Sequence, residues 1–378
     1  MLPYWRLSGF YFCYFALLGG VAPFLSLYFH HLGFSAARIG ELIAIPLLMR
    51  CVAPNLWGWL ADRSGRRLLI VRLGALLTAL TFSAIFWRQD YLWLALVMAL
   101  HSFFWHAILP QFETITLGHL GPESARYSQI RLWGSVGFIV TVVLLGALLE
   151  HRGLDTYPQA MLGIMLGIFI CSLMVPPAPG AAAPADGIHA DGFVQQLCRP
   201  QVLIFFCCVA LMQLSHGPYY TFLTLHLEAL GYARVLIGSM WALGVVAEIV
   251  LFLLMGQLLA RFSLQQLLVA SLLLAALRWL LLGWAADNLP LLIFGQLLHA
   301  ATFGCFHVVA VHVVQRSFSE RVQSQGQALY ATLSGCGGAL GALYAGYSWN
   351  ALGAGWTFTL ASMAAALAAL LLLRRIPA

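Results

Sequence analysis

The sequence predicts an all-α polytopic membrane protein with twelve transmembrane helices in two six-helix pseudo-repeats. The first observation is composition: 62% of the 378 residues are hydrophobic and 8% are charged, whereas a soluble domain carries about 25% charged residues. The second is that the charges lie in short clusters between apolar runs of about 20 residues, the length that spans a bilayer. The third is that the two halves of the chain resemble each other. Together these observations exclude a soluble globular protein.

Apolar runs long enough to cross a bilayer occur twelve times along the chain. In the first half the predicted spans are 5–30, 36–61, 68–87, 91–117, 126–149 and 157–175. In the second half they are 200–227, 234–260, 265–286, 289–315, 323–348 and 350–373. The segment between the halves is rich in Pro and Ala, as flexible linkers are. We therefore predict an N-terminal six-helix bundle at 1–175, a cytoplasmic linker at 176–199 and a C-terminal six-helix bundle at 200–378.

Arginines are distributed unequally between the two sides of the membrane. All 19 basic residues are Arg; if alternate loops share a side, twelve fall on one side, four on the other and three inside spans. Because short cytoplasmic loops carry the excess of positive charge, both termini are predicted to be cytoplasmic. The net charge of +6 then reflects topology and predicts no nucleic-acid partner. The first run is longer than a signal-peptide core, so we expect it to remain as a span of a multi-pass protein in a bacterial inner membrane.

Two segments of the first half recur in the second half at one common offset of 198 positions. Gly33–Gly40 matches Gly231–Gly238, and Gly58–Arg63 matches Gly256–Arg261. Two separate segments that share one offset indicate an internal repeat of the chain. A parallel repeat of six-helix halves is an architecture of secondary transporters, which bind their substrate between the repeats.

The loop after the second span, Gly58–Arg67, carries the most specific motif of the chain. It resembles the loop signature of the major facilitator superfamily at its Gly, Asp and Arg positions. We predict that Gly58 allows close helix approach, that Asp62 accepts hydrogen bonds from a facing helix terminus and that Gly65 permits a tight turn. The matching segment of the second half has Ala260 in place of the acid. We therefore expect the corresponding contact in that loop to be weaker or absent. The predicted gating residues are Gly58, Asp62, Arg63, Gly65, Arg66 and Arg67. A basic loop that only fixes topology is the alternative.

Five charged side chains lie deep inside predicted spans, where each costs ~2.5–3.5 kcal/mol on insertion scales and therefore marks a candidate site. They are Arg50, Glu113, Arg131, Glu248 and Arg278. Glu113 and Arg131 lie at similar depth on adjacent antiparallel spans, so we predict an ion pair, which serves function or only fixes helix register. Glu248 corresponds to Arg50 by the repeat and is expected to border the groove between the halves, where it binds and releases a proton. The alternative is a permanent pair with Arg278 or Arg131.

Histidines and tyrosines of the second half add further candidates. His299 is expected to hydrogen-bond the substrate or to relay a proton, and the alternative is a satisfied packing residue. His216, beside Pro218 and followed by Tyr219 and Tyr220, predicts a helix break that faces the cavity. Other paired histidines are five positions apart and lie on different helix faces, so no metal site is predicted.

Several segments resemble the 3-phenylpropionate permease family, which is related to lactose permease and to nucleoside:proton symporters. They are Arg131–Ser135, His216–Tyr220, Gly244–Glu248, Arg278–Trp279 and Leu297–Phe303. The resemblance implies proton-coupled uptake of a small organic solute, with the ion pair of spans 4 and 5 and the carboxylate of span 8 in the cavity. Lactose-permease-like members carry a carboxylate in span 10 near the histidine, and this chain has Gln296 in that region instead.

We therefore expect a secondary transporter that takes up a small solute, such as the aromatic carboxylate phenylpropionate, by proton symport as its halves rock about a central cavity. The expected substrate-binding residues are Arg131, Glu113, Arg50, His299, Tyr219 and Tyr220. The expected proton-coupling residues are Glu248, Glu113, Arg278 and His299.

Three other functions remain open at this point. They are a nucleoside or sugar symporter, a proton-antiport exporter of the same fold, and a membrane enzyme that acts on lipids. The expected partners are the solute and the lipid bilayer, and the protein is expected to be a monomer. No nucleotide motif is visible, so no cofactor is expected beyond the proton as coupling ion.

Overall fold

The computed structural model describes residues 2–178 and 192–373, and all regular secondary structure in these residues is helical. Most of the predicted linker, and the two arginines near the C-terminus, lie outside the described residues.

The first half forms six long helices whose bounds agree with the predicted spans to within a few residues. They are α1 Tyr4–His31, α2 Ala36–Ser64, α3 Arg67–Ser83, α4 Tyr91–Leu120, α5 Tyr127–Arg152 and α6 Tyr157–Met174. Short 3-10 turns connect them at Ala84–Phe86, Gly121–Arg126 and Leu154–Thr156.

The second half contains more interruptions than the first. Its helices are α7 Phe193–Leu197, α8 Pro200–Ser215, α9 Gly217–Ala229, α10 Arg234–Arg261, α11 Leu264–Trp284, α12 Leu289–Leu297, α13 Phe306–Ser317 and α14 Gln323–Leu373. A π-helical turn, Ala300–Cys305, lies between α12 and α13. The last helix bends at Gly353, which has a φ of +79°.

The helices account for twelve spans. Nine segments of the described residues are long and apolar enough to cross a membrane. Two of these, Tyr91–Arg152 with 62 residues and Gln323–Leu373 with 51, are each long enough for two spans. Helix α2 has the length of a span but carries five charged residues, which lower its hydropathy. The prediction of an all-α, twelve-helix membrane protein is confirmed.

Local sequence signals explain where α2 begins and ends. The hydroxyl of Ser35 accepts a hydrogen bond from the backbone N–H of Arg38 (3.5 Å), as an N-cap does. Gly65 ends the helix with a φ of +63°, and its N–H donates to the carbonyl of Ala61 at 2.9 Å. A side chain would strain this left-handed conformation, so the expected tight turn at Gly65 is present.

The chain forms two compact units. Within the described residues, the first unit consists of 2–38, 45–178 and 233–242, and the second of 39–44, 192–232 and 243–373. Each unit therefore includes a short piece of a helix whose remainder belongs to the other. The predicted domain bounds of 1–175 and 200–378 stay a prediction.

Each unit contains at least one helix pair that packs backbone against backbone. In the first, a Cβ on Gly137 of α5 would lie 2.1 Å from the carbonyl oxygen of Phe12 on α1. In the second, a Cβ on Gly337 of α14 would lie 2.6 Å from the carbonyl oxygen of Ala210 on α8. Small residues allow such close approach between membrane helices. The α1–α5 contact places the first candidate cluster.

Candidate functional site

The first charged cluster lies between α1 and α5 and includes Arg131. This side chain is partly buried. Its guanidinium carbon lies 3.7 Å from the ring centroid of Phe15 and 5.9 Å from that of Tyr11, both on α1. Arg131 forms no hydrogen bond or ion pair with any described residue, so its N–H donors remain available.

The predicted ion pair between Glu113 and Arg131 is wrong for this structure. Glu113 instead accepts a hydrogen bond from the hydroxyl of Tyr127, at 3.1 Å. Tyr127 lies one helical turn before Arg131 on α5, and its hydroxyl takes up the Glu113 carboxylate as hydrogen-bond acceptor. The Arg131 guanidinium packs instead on the aromatic rings of α1. The cluster therefore contains an arginine that forms no ion pair with a described carboxylate, although its charge acts on that of Glu113.

The other charged candidate of the first half is Arg50 on α2. It is exposed and has no hydrogen-bond or ion-pair partner among the residues described. His106 on α4 lies 3.2 Å from the carbonyl oxygen of Pro46, so it connects α4 to α2.

The second cluster is centred on Arg278 of α11, which is completely buried. Its Nε donates to the carbonyl of Gly295 at 2.9 Å. Its Nη1 donates to the hydroxyl of Thr302 at 3.0 Å, and its Nη2 to the Oε1 of Gln296 at 3.3 Å. The ring of Tyr219 covers the guanidinium at 4.2 Å. Arg278 is thus satisfied by neutral acceptors, with no carboxylate at ion-pair distance in the described part of the chain.

Glu248 does not pair with either of the arginines considered as permanent partners. Its Oε2 lies 3.7 Å from Nε2 of His299, with side-chain exposures of 16% and 8%. The imidazole stacks on Phe303 at 5.3 Å and on Tyr219 at 5.7 Å between centroids. The structure therefore brings Glu248 and His299 together as a carboxylate–imidazole pair.

The π-helical turn brings this pair close to the Arg278 cluster. A π turn holds an additional residue compared with an α turn, and such turns occur frequently at functional sites. Thr302, inside the turn, accepts from Arg278 and donates to the carbonyl of His299 at 3.4 Å. A Cβ on Gly304 would lie 3.0 Å from Cγ of Glu248, so the glycine leaves room for the acid.

The predicted helix break at His216 is present, since α8 ends at Ser215 and α9 begins at Gly217. The expectation that this region faces a cavity is wrong for His216, which is 1% exposed and lies 2.8 Å from the carbonyl oxygen of Met212. Tyr219 is also buried, and its hydroxyl donates to Gln296 at 3.1 Å. Tyr220 is partly exposed.

The loop motif makes contacts that differ from those predicted. Asp62 pairs with Arg67 of its own loop rather than with a facing helix terminus. Arg67 also donates to the Oε1 of Gln111 on α4 at 2.8 Å and thereby joins the loop to that helix. A Cβ on Gly58 would meet only the Nε2 of Gln111, at 3.8 Å. This is an ordinary contact, so Gly58 is not required for close helix approach.

The two remaining arginines of the motif are exposed. The guanidinium of Arg63 lies 5.5 Å from the ring of Trp59. As for metals, no group of three or more His, Cys, Asp or Glu in the described ranges could hold an ion.

Sequence reasoning missed three contributors to these clusters. Gln296 was noted only as a departure from related permeases, yet it accepts from both Tyr219 and Arg278. Thr302 becomes an acceptor because the π turn directs it to Arg278, and a single sequence carries no clear signal for a π turn. Phe15 is one of 24 phenylalanines, and nothing in its local pattern distinguishes it.

The helices are those of a multi-pass membrane protein, and comparisons with known proteins give its class, a transporter of the major facilitator type. The chain matches the model of the MFS_1 like family over residues 4–360. It belongs to that family.

The chain is also similar to individual transporters. It is 31% identical, over 94% of each chain, to an Escherichia coli K12 protein named probable 3-phenylpropionic acid transporter. It is 28% identical to the maltose permease of Geobacillus stearothermophilus, covering 89% of this chain and 84% of that one. A crystal structure of the nucleoside transporter NupG superposes with a TM-score of 0.86 at 19% identity, covering 99% of both chains. These relatives are transporters and not enzymes.

Proposed function

We propose that this protein takes up a small aromatic carboxylate, such as 3-phenylpropionate, together with a proton across a bacterial inner membrane. The observation that carries the proposal is Arg131, a partly buried guanidinium within a membrane-spanning helix that forms no hydrogen bond or ion pair with the described residues. An unpaired charge at such a position is costly. A substrate anion would supply the missing partner.

The chemistry of Arg131 favours a carboxylate over a neutral solute. Guanidinium presents paired N–H donors in a planar fork that matches the two oxygens of a carboxylate. The similarity to the protein named as a 3-phenylpropionic acid transporter supports the same class of solute.

The pair of Glu248 and His299 is the proposed proton carrier. Glu248 is the carboxylate that the structure places beside an imidazole in the second unit. In this proposal its protonation removes one negative charge from the cluster, and deprotonation restores it. Because Gln296 is neutral, the satisfied Arg278 remains a fixed cation that holds the π turn.

Uptake into proteoliposomes tests the proposed solute. We expect labelled 3-phenylpropionate to accumulate under an inward proton gradient and accumulation to disappear with a protonophore. Unlabelled uridine and maltose serve as competitors for the nucleoside and sugar alternatives. Competition by either one but not by aromatic acids would contradict the proposed solute, and efflux under the same gradient would indicate an exporter.

Variants of the two proposed residues test the mechanism. Arg131→Ala should reduce substrate affinity by about 30-fold or more, since hydrogen bonds to charged groups contribute ~1.5–3 kcal/mol each. Arg152→Ala, at the exposed end of the same helix, is the matched control. Glu248→Gln should abolish proton-driven accumulation but retain exchange of internal for external solute, with Glu320→Gln in an exposed loop as control. Accumulation by Glu248→Gln at the normal level would show that another group carries the proton.

A further inference from the structure

The position of the Arg131 guanidinium depends on an aromatic ring of another helix. Its carbon lies 3.7 Å from the centroid of the Phe15 ring. At this distance the planar cation is in contact with the π face of the ring, a favourable arrangement for arginine. Because the described residues offer Arg131 no hydrogen-bond acceptor, this stack is its principal fixing contact.

A glycine leaves the space in which this stack forms. A Cβ on Gly134 would lie 2.6 Å from Cδ2 of Phe15 and 2.8 Å from Nη1 of Arg131. Both distances are shorter than van der Waals contacts allow, so any side chain at position 134 would displace the ring, the guanidinium or both. One turn further along α5, Gly137 packs against the backbone of α1 and holds the two helices at this separation.

We propose that Phe15 is a positioning residue for anion recognition, which fixes the plane of the Arg131 guanidinium so that its N–H edge is presented to a planar carboxylate. This inference rests on the proposed function and adds a specificity determinant to it. The ring occupies one face of the guanidinium and offers no acceptor of its own. The donors therefore remain directed along the edge, where two parallel N–H groups match the two oxygens of a carboxylate.

The consequence is a defined selectivity. A carboxylate gains from two aligned, charge-assisted hydrogen bonds, whereas the corresponding amide has one acceptor oxygen and no charge. A guanidinium that is free to rotate loses part of the alignment but keeps its charge. Loss of the Phe15 ring should therefore weaken the binding of a carboxylate more than that of its neutral amide.

The first test compares 3-phenylpropionate with 3-phenylpropionamide by competition for uptake in wild type, Phe15→Leu and Phe15→Tyr. We expect Phe15→Leu to reduce the carboxylate-to-amide affinity ratio about tenfold while the maximal rate stays within about twofold, and Phe15→Tyr, which keeps the ring, to restore the ratio. Gly134→Ala should act like Phe15→Leu. Gly163→Ala on α6, where a Cβ meets nothing within 4 Å, is the matched control. An unchanged ratio in Phe15→Leu would overturn the proposal, because a merely structural defect lowers both affinities together.

A second test needs no substrate and separates this inference from the proposed function. Phenylglyoxal reacts with accessible guanidinium groups, and peptide mass spectrometry locates the modified arginines. We expect Arg131 to react about threefold faster in Phe15→Leu than in wild type because one face of the group is uncovered. Buried Arg278 and exposed Arg66 are internal references that should not change. Equal rates at Arg131 refute the positioning role. Absence of carboxylate binding by wild type, with the rate change present, refutes only the proposed solute.

Discussion

Arg131 in the first unit and Arg278 in the second are both arginines of membrane-spanning helices, and the surroundings of these two side chains are opposite. Arg278 is completely buried, donates to three neutral acceptors and lies under an aromatic ring. Arg131 is partly buried, lies on Phe15 and has no acceptor among the described residues. The difference indicates which arginine stabilises the fold and which is available for a ligand. The position of an arginine within a span does not by itself distinguish a structural role from a ligand-binding role.

The largest expected effect distinguishes the two arginines by stability. Arg278→Ala removes three hydrogen bonds and leaves buried acceptors unsatisfied, so it should lower the free energy of unfolding by about 3 kcal/mol or more. Arg131→Ala should lower it by less than ~1 kcal/mol, while it reduces substrate affinity by about 30-fold or more. Thermal unfolding of the purified variants in detergent measures both. If Arg131→Ala is the less stable variant, the assignment of structural and ligand-binding arginines is reversed.

The next effect concerns the acceptor within the π turn. Thr302→Val keeps the side-chain shape but removes the hydroxyl that accepts from Arg278, at a cost of about 1–2 kcal/mol for a buried donor left unsatisfied. Thr302→Ser keeps the hydroxyl and should remain close to wild type in the same unfolding assay. Equal loss in both variants would attribute the effect to packing of the methyl group.

A smaller effect is expected at the ring above Arg278. Tyr219→Phe keeps the cation–ring contact and loses only the hydrogen bond to Gln296, so the free energy of unfolding should fall by about 1 kcal/mol. Tyr219→Leu, which also removes the ring, should lose more. A substantial loss of substrate affinity in Tyr219→Phe, without loss of stability, would show that the Tyr219 hydroxyl binds substrate, as the sequence predicted.

The smallest effect tests why Arg131 has no partner. Tyr127→Phe removes the hydroxyl that holds Glu113, so the carboxylate becomes free to pair with Arg131. Stability should change by less than ~0.5 kcal/mol. Substrate affinity should fall about two- to fivefold, because the substrate carboxylate then competes with Glu113 for Arg131. A partly exposed ion pair of this kind contributes ~0.5–1 kcal/mol. Adding Glu113→Gln to Tyr127→Phe should restore the affinity, and failure to do so would contradict the competition.

Sequence alone predicted the helices well because hydrophobic runs of fixed length are dictated by the bilayer itself. It also identified five charges deep inside the spans, because their cost makes such charges rare. It could not assign partners. Glu113 and Arg131 lie at suitable positions for an ion pair, but a neighbouring phenol on α5 occupies the carboxylate first. Partner choice depends on side-chain rotamers and helix rotation, which a pattern of residue types does not encode.

The loop Gly58–Arg67 also shows that sequence predicts a backbone turn but not the partners of its side chains. Gly65 was predicted to turn the chain, and this follows from a backbone property of one residue. The acceptor role of Asp62 was predicted, but its donor is Arg67 rather than a helix terminus. Donor identity depends on the path of the loop after the turn, and the sequence gives no geometry for that path.

The additional residue in the π turn changes how the tenth span should be mapped by experiment. Successive side chains of an α-helix are rotated by about 100° about the helix axis. One additional residue therefore rotates all side chains after Cys305 by that angle relative to their positions in an uninterrupted α-helix. Cysteine scanning of Leu289–Ser317 should therefore yield two accessibility patterns of ordinary period with a phase jump between them. His307, which lies 2.9 Å from the hydroxyl of Tyr330, belongs to the second pattern and cannot be placed by extending the first.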